Sequence, residues 1–451
     1  MEAAAAAAPG ARHPPGLYYL AFTEVWERFS YYGMTALLSL YMIEQLLTPG
    51  HAEHVLGLAA LRGLFELRGP MSEVAFASLV YGWYSGLVYF TPILGGFLAD
   101  RLLGTKATVV IGALLMSAGH IAMAFDSSFL MALALLIAGS GCLKGNISAQ
   151  VGQLYPKAAA SLRAQGYTIF SAGINFGSVA GPLVCGAMAA AYGWHAGFAC
   201  AGVLMIVALI TYLAGQRHLP SGRPAEERMV HPPLTADERR RTGLLVLAIA
   251  LTILPHIAYS MIWNIGLIWI AEHADLATPF GAMPAVWFNS VDPLFSILAV
   301  PPLVMFWRWQ AKRGREPSDV AKIGIGSALI GAFALLLAAG SLLAGPDGRT
   351  PVIWPFLCFA GMGVAFLYYW PVLLALVSQA APARINATMM GGAFLALFVA
   401  GVAMGWVGSF YDSMTPAAFW TLDAAIGFAG GLIVLLLHKP LTRALVPRAG
   451  E

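Results

Sequence analysis

The sequence predicts an all-α polytopic membrane protein with 12 transmembrane helices in two six-helix bundles. Three observations carry this. Hydrophobic residues make up 59% of the chain and charged residues only 10%, whereas a soluble domain carries roughly 25% charged residues. The apolar runs are continuous rather than striped, and twelve of them reach the ~20 residues needed to cross a bilayer. Lys and Arg are sorted between alternate loops. With the N-terminus inside, twenty of the 25 fall on cytoplasmic segments, three (Arg62, Arg68, Arg349) on outer loops, and two (Arg28, Lys144) within spans. That asymmetry puts both termini in the cytoplasm of a multi-pass cell-membrane protein.

In chain order, residues 1–16 are Ala- and Pro-rich and read as a short disordered cytoplasmic tail. They are not a secretory signal, because the apolar segment behind them is long and charged and lacks a small-residue cleavage site. The spans lie near 17–47, 73–99, 106–125, 128–151, 164–191, 194–215, 243–271, 283–308, 320–344, 351–379, 385–410 and 415–438. Residues 48–72 are too polar to extend the first span. Residues 216–242, rich in Arg, Pro and Glu, form a cytoplasmic linker. It separates an N-terminal bundle, 17–215, from a C-terminal bundle, 243–438, and residues 439–451 form a cytoplasmic tail. The cysteines Cys142, Cys185, Cys200 and Cys358 sit in apolar runs at no metal-ligand spacing and read as small buried hydrophobes. No nucleophile–base pair, metal-ligand spacing or phosphate-binding glycine loop is present, so an enzyme is disfavoured and no cofactor is expected. The expected partners are protons, a small solute and the lipid bilayer, with no nucleic acid, and the protein reads as a monomer.

The chemistry is concentrated in ionisable residues inside spans. Glu24, Glu27 and Arg28 are spaced i, i+3, i+4 and share one face of the first helix. A charge at mid-bilayer costs on the order of 3 kcal/mol or more, so such groups face a partner or a watery cavity. Lys144, between glycines in Gly139-Ser-Gly141-Cys-Leu-Lys144-Gly145-Asn146-Ile-Ser148, is the natural span-four partner. Snorkelling is disfavoured by the nine or so residues of span that follow it. Two acids and two bases make a near-neutral quartet. Protonating one acid, or admitting a substrate carboxylate, frees a partner, which is the minimum equipment for coupling protons to a conformational change. A static ion-pair cluster is the bland alternative. In span five, Gly173, Gly177 and Gly181 recur every four residues and make a smooth packing face. From spacing alone Asn175 reads as a packing residue there more readily than as a ligand contact.

The loop Gly95-Gly-Phe-Leu-Ala-Asp100-Arg101-Leu-Leu-Gly104-Thr-Lys106 resembles the Asp-Arg-x-x-Gly-x-Lys/Arg loop that holds helices together on the cytoplasmic side of major facilitator transporters. Asp100, Arg101 and Lys106 are its candidate gate residues. Glu24-x-x-Glu27-Arg28-Phe29-Ser30-Tyr31-Tyr32-Gly33 resembles the first-helix signature of the proton-dependent oligopeptide transporter family within that superfamily. The loop, the Lys144 segment and Phe170–Pro182 look like the next three signatures, and Pro284–Phe295 looks like the start of the family's eighth helix. The similarity covers essentially the whole chain and is strongest in the N-terminal half. The extra helix pair that many bacterial members carry between the halves has no counterpart here.

The resemblance implies proton-driven symport of small peptides by alternating access, at a bacterial inner membrane. It makes Glu24, Glu27, Arg28 and Lys144 the coupling group, and Tyr31, Tyr32, Lys144 and Asn175 substrate contacts, with Tyr84 or Tyr89 a looser match on span two. Three positions depart from the family pattern. Thr35 stands where dipeptide carriers usually have an arginine. Phe366, before Tyr368-Tyr369-Trp370-Pro371, stands where they have the glutamate that holds the peptide amino terminus. Tyr259-Ser-Met261-Ile262-Trp263-Asn264 lacks the span-seven glutamate. An ammonium left desolvated and unpaired costs roughly 3 kcal/mol or more. Asp292 and His256 are candidate replacements, and Tyr368, Tyr369 and Trp370 make an aromatic wall suited to a larger or less charged ligand. The expected function is therefore import of a peptide or peptide-like solute with non-standard substrate choice. The alternatives are a non-peptide organic solute, an exporter on the same scaffold, and a flux-free receptor.

Overall fold

The computed structural model describes residues 12–156, 159–220, 234–279, 281–345 and 347–445. The tail up to residue 11, most of the linker with Arg223 and Arg228, and Lys157 and Arg448 lie outside them. The chain resolves into two units, Met1–Arg68 with Leu87–Arg228, and Gly69–Gly86 with Met229–Glu451.

The first unit is built from α1 (Pro15–Tyr41), a short α2 (Leu58–Phe65), the second half of α3 (Glu73–Leu98), α4 (Gly104–Ala122), α5 (Phe129–Gln153), α6 (Ala160–Tyr192) and α7 (Trp194–Gly215). Pro15 suits the start of α1, where its missing N–H leaves no bond unmade. A π-helical turn, Met42–Leu46, ends that span. Part of the expected polar loop 48–72 is helical, because Leu58, Leu61 and Leu64 give α2 an apolar stripe. A second π-helical turn, Ala99–Leu103, joins α3 to α4, and Gly104 at φ 77° makes the reversal that a side chain would resist.

The glycine ladder of α6 lies on α1. A Cβ at Gly177 would come within 2.6 Å of the Phe29 backbone nitrogen, and one at Gly181 within 2.5 Å of the Phe29 carbonyl oxygen and 2.9 Å of the Gly33 nitrogen. Those neighbours are backbone and cannot swing away, so only glycine permits this approach. Asn146 ties α5 to α3, its amide donating to the carbonyls of Gly95 (3.2 Å) and Cys142 (2.8 Å). Ser30 on α1 donates to Ala201 O on α7 at 2.6 Å.

The second unit takes the first half of α3 and adds α8 (Ala236–Leu251), α9 (Ile253–Met261), α10 (Ile265–His273), α11 (Val291–Lys312), α12 (Asp319–Leu342), α13 (Ile353–Ala380), α14 (Asn386–Gly408) and α15 (Pro416–Leu445). Its core includes Ile249, Ile323, Leu373, Val377 and Ala393. The expected linker end, 236–242, is instead the first turns of α8. Thr235 and Glu238 make a reciprocal capping box there, and Glu238 also pairs with Arg384 ahead of α14. The seventh span, expected as one helix, is broken into α8, α9 and α10. Pro255 brings no N–H to the helix ladder, Thr252 Oγ1 bonds back to Ile249 O at 2.6 Å, and Asn264 leaves helical geometry to donate to Ser78 Oγ at 2.7 Å. Counting that span once, the described helices make twelve membrane-length passages, six before the linker and six after it. Short strand pairs, Ala274–Asp275 with Thr350–Pro351 and Ala277–Thr278 with Gly281–Ala282, lie in the connections.

The α1–α6 contact sets a stability prediction. Gly181→Val should lower the unfolding midpoint in detergent by the equivalent of about 2 kcal/mol. Gly96→Ala, with nothing within 4 Å of the new carbon, should be neutral or slightly stabilising.

Candidate functional site

α1 places Glu24, Glu27 and Arg28 on one face, as their spacing requires, and buries all three, to 3%, 0% and 6% exposure. Arg28 Nε lies 3.0 Å from Glu24 Oε1 and also pairs with Glu27 Oε2. One guanidinium therefore serves two carboxylates. Glu24 Oε2 and Glu27 Oε1 have no hydrogen-bond donor among the described residues. The glycine face of α6 passes directly over this group, because Gly177 abuts the Arg28 Cβ. A larger residue there would push α6 away and open the pair to lipid or water.

Lys144 does not join the glutamates as expected. No carboxylate lies within ion-pair distance of it among the described residues. Its ammonium instead rests 3.9 Å from the centre of the Tyr31 ring and 5.4 Å from that of Tyr89, a cation–π cradle. It still feels the charges of Arg28, Glu27 and Glu24 at longer range. The physical reason is occupancy: Arg28, one turn from Glu24 and next to Glu27 on the same helix, reaches both at smaller entropic cost. Tyr31 also lies 5.6 Å from the Arg28 guanidinium and packs edge-on against Tyr32 at 5.2 Å. The first unit thus presents an ammonium held by two aromatic faces, which an incoming carboxylate could claim without breaking a salt bridge. Thr35 folds back, its hydroxyl donating to Tyr31 O at 2.7 Å, and supplies no charge.

Asn175 is exposed and off the packing face. The close approach to α1 runs through Gly173, Gly177 and Gly181, and exposed Asn175 takes no part in it, so the packing role expected for it does not hold. Of the two span-two tyrosines, Tyr89 meets the first-unit cluster. Tyr84 is buried and belongs to the second unit. Lys106 donates to Gln216 O at 2.9 Å and ties α4 to the end of α7. Asp100 is exposed, and Arg101 lies over the Phe97 ring at 5.4 Å.

The second unit holds a different constellation. Asp292, at the start of α11 and 1% exposed, accepts from Tyr259 Oη on α9 at 2.6 Å. The Trp263 indole also interacts with its carboxylate. Phe366 on α13 stacks on Tyr259 at 5.3 Å, and His256 packs between Tyr259 and Tyr369 at 6.1 Å from each ring. Trp370 meets Phe394 edge-on at 5.8 Å. Tyr259 is the residue the sequence did not single out. The available signal was a tyrosine in the stretch where the family resemblance led us to expect an acid. Phe366 is thus bound into an aromatic stack that covers the hydroxyl holding Asp292.

Comparison with known proteins places this architecture. Residues 106–232 match the POT family model. The chain is 31% identical to a di-/tripeptide transporter of Lactococcus lactis subsp. cremoris, over 96% of each chain. It superposes on a crystal structure of the peptide transporter POT in complex with sulfate with a TM-score of 0.84 at 26% identity, covering 96% of both chains. A mutant of peptide transporter POT in complex with alafosfalin gives a TM-score of 0.83 at 27% identity. With the buried Glu24–Glu27–Arg28 group, the twelve passages and this full-length similarity in view, the chain belongs to the POT family of proton-dependent oligopeptide transporters, within the major facilitator superfamily.

Proposed function

We propose that the protein couples proton entry to import of small peptides or peptide-like solutes, and that it recognises the carboxyl end of its substrate more strongly than the amino end. The observation that carries this is the sharing of Arg28 by Glu24 and Glu27 while Lys144 rests on tyrosine faces. With both glutamates ionised, the second acid relies on the long-range field of Lys144. A substrate carboxylate that takes Lys144 removes that support, and protonating a glutamate then becomes favourable. Proton and substrate each raise the other's affinity by the same factor, which is the thermodynamic content of symport. The same constellation binds the anionic end of an α-peptide, of a phosphonopeptide or of another small carboxylate.

Taken by itself, the second unit receives a free ammonium poorly. The acid of the second unit, Asp292, is buried and already satisfied on one oxygen by Tyr259, and Phe366 offers no charge. An ammonium would have to displace a hydrogen bond to reach a counter-ion. A flat aromatic or an acylated amine fits the Phe366–Tyr259 stack at smaller desolvation cost. The relatives that carry di- and tripeptides support the peptide class. These second-unit residues favour blocked or bulky members of it.

Three outcomes follow in proteoliposomes. Glu27→Gln should abolish uphill, proton-driven uptake and retain substrate counterflow, since only the proton step is removed. Uphill uptake by this variant at the wild-type rate would overturn the coupling role. Phe366→Glu should raise affinity for free dipeptides relative to N-acetylated ones by about tenfold or more, measured by competition. If Asp292 serves the ammonium, Asp292→Asn should weaken free dipeptides and leave N-acetylated ones unchanged. Equal weakening of both would assign Asp292 a structural role.

A further inference from the structure

A second cluster of titratable groups lies in the first unit, at the end of α1 opposite its tail and on the side that the Lys and Arg distribution assigns to the outside. Its centre is Asp126, in the turn before α5. Asp126 Oδ1 accepts from Tyr41 Oη at 2.5 Å, at the end of α1. Its Oδ2 accepts from His51 Nδ1 at 2.7 Å, in the outer loop. Its Oδ1 also lies 3.1 Å from His195 Nε2, at the start of α7. Gln45, on the turn that ends α1, places its amide nitrogen 3.4 Å from Asp126 Oδ1 and 3.1 Å from His195 Nε2. One carboxylate thus gathers three segments to its own. Tyr41 adds ring contacts with Trp194, His195 and Phe198 of α7.

The histidine at this point has two arrangements built around it. Its Nδ1 faces the Met123 carbonyl oxygen at 3.2 Å. Neutral imidazole carries one N–H, so it cannot donate to Met123 O and to Asp126 together. Neutral His195 donates from Nδ1 to Met123 O and accepts at Nε2 from the Gln45 amide. Protonated His195 donates from both nitrogens and turns the Nε2 contact into a charge-assisted bond to Asp126. The other charged groups nearby are Glu53, which accepts from Gly50 N at 2.9 Å and interacts with His51 and His54, and His54 itself. On α4, His120 packs against Gly202 further along α7 and makes no hydrogen bond among the described residues. Met123 therefore offers only its carbonyl.

We propose that Asp126 and His195 form a proton-operated tie that positions the outer ends of α1 and α7, with Asp126 as the positioning residue and His195 as the group whose protonation closes it. Gaining the proton closes the tie, and losing it leaves the Gln45–His195 and His195–Met123 contacts. α1 is the helix that carries Glu24, Glu27 and Arg28, so the tie sets the helix from its outer end under the same acid conditions that supply protons for symport. The tie rests on local geometry and on the orientation of the membrane, and it holds whatever the substrate is. The sign follows from donor count. Only a protonated imidazole can donate to Met123 O and to Asp126 together, so gaining the proton forms the tie and losing it releases the tie.

The test uses the full-length protein. Thermal unfolding in detergent is followed from about pH 8 to about pH 6, where imidazole ordinarily titrates, and substrate counterflow is measured over the same range. His195→Gln keeps an amide that can reach Asp126 and cannot titrate. It should flatten the gain in unfolding midpoint on acidification and reduce the ratio of counterflow rates, acid over neutral, by about twofold to fivefold, the range for a half-exposed ion pair. Asp126→Asn should flatten both profiles at least as much. Both variants keeping the wild-type pH profiles would overturn the proposal. If Asp126→Asn does not fold, the His195→Gln profiles decide alone by the same criterion. The unfolding measurement needs no transport, so it fails or succeeds independently of the symport reading.

Discussion

Charge inside an apolar bundle must be answered within the bundle, and the rest of the first unit follows from how α1 answers it. Glu24 and Glu27 both precede Arg28 on one helix face and share its guanidinium, and all three are shut away from solvent. An ion pair in such a place is costly to assemble and more costly to break, so the surrounding helices have to close without intruding. The glycine ladder of α6 does this, since it brings backbone against backbone at Phe29 and Gly33. The same closeness leaves one guanidinium for two acids and frees Lys144 to rest against tyrosine rings. That imbalance is what the proposed proton coupling rests on.

In the second unit, no Lys or Arg pairs with the buried acid Asp292 among the described residues. Asp292 is served by a phenol and an indole, and an aromatic stack of Phe366, Tyr259 and His256 closes over it. The break in the seventh span matters here. It gives α9 its own direction between Thr252 and Asn264, and α9 carries Tyr259. A carboxyl held by neutral donors and a carboxyl pair held by one cation respond differently to an approaching charge. The first exchanges one hydrogen bond for another, and the second shifts an ionic balance. Under the proposed symport the proton step therefore belongs to the first unit, and the second unit offers mainly aromatic surface.

Much of this was legible before any coordinates. The twelve passages follow from hydropathy, and the shared face of Glu24, Glu27 and Arg28 follows from helical periodicity. The family follows from four segments in the expected order, and the full-length relatives agree. Partner choice among groups of similar chemistry was not legible. Lys144 was the expected partner of the glutamates, yet Arg28 holds them. Asn175 shares a helix with the packing glycines, yet it points off their face. Tyr259 was read only as a missing acid, although it holds Asp292. The breaks in the seventh span and the helix within residues 58–65 were likewise hidden by hydropathy, which averages over the few residues where a ladder is interrupted.

The sequence by itself determined the membrane class, the number and order of spans, and which ionisable residues lie within them. These depend on local composition and on a period of 3.6 residues, and both are properties of a contiguous segment. Only the tertiary structure decided which acid meets which base, which tyrosine faces an ammonium and which faces a carboxylate, and which histidine stands between two acceptors. Those outcomes turn on differences of an ångström or two between side chains far apart in the chain. At that scale, electrostatic and hydrogen-bond energies change by more than any local sequence signal can encode.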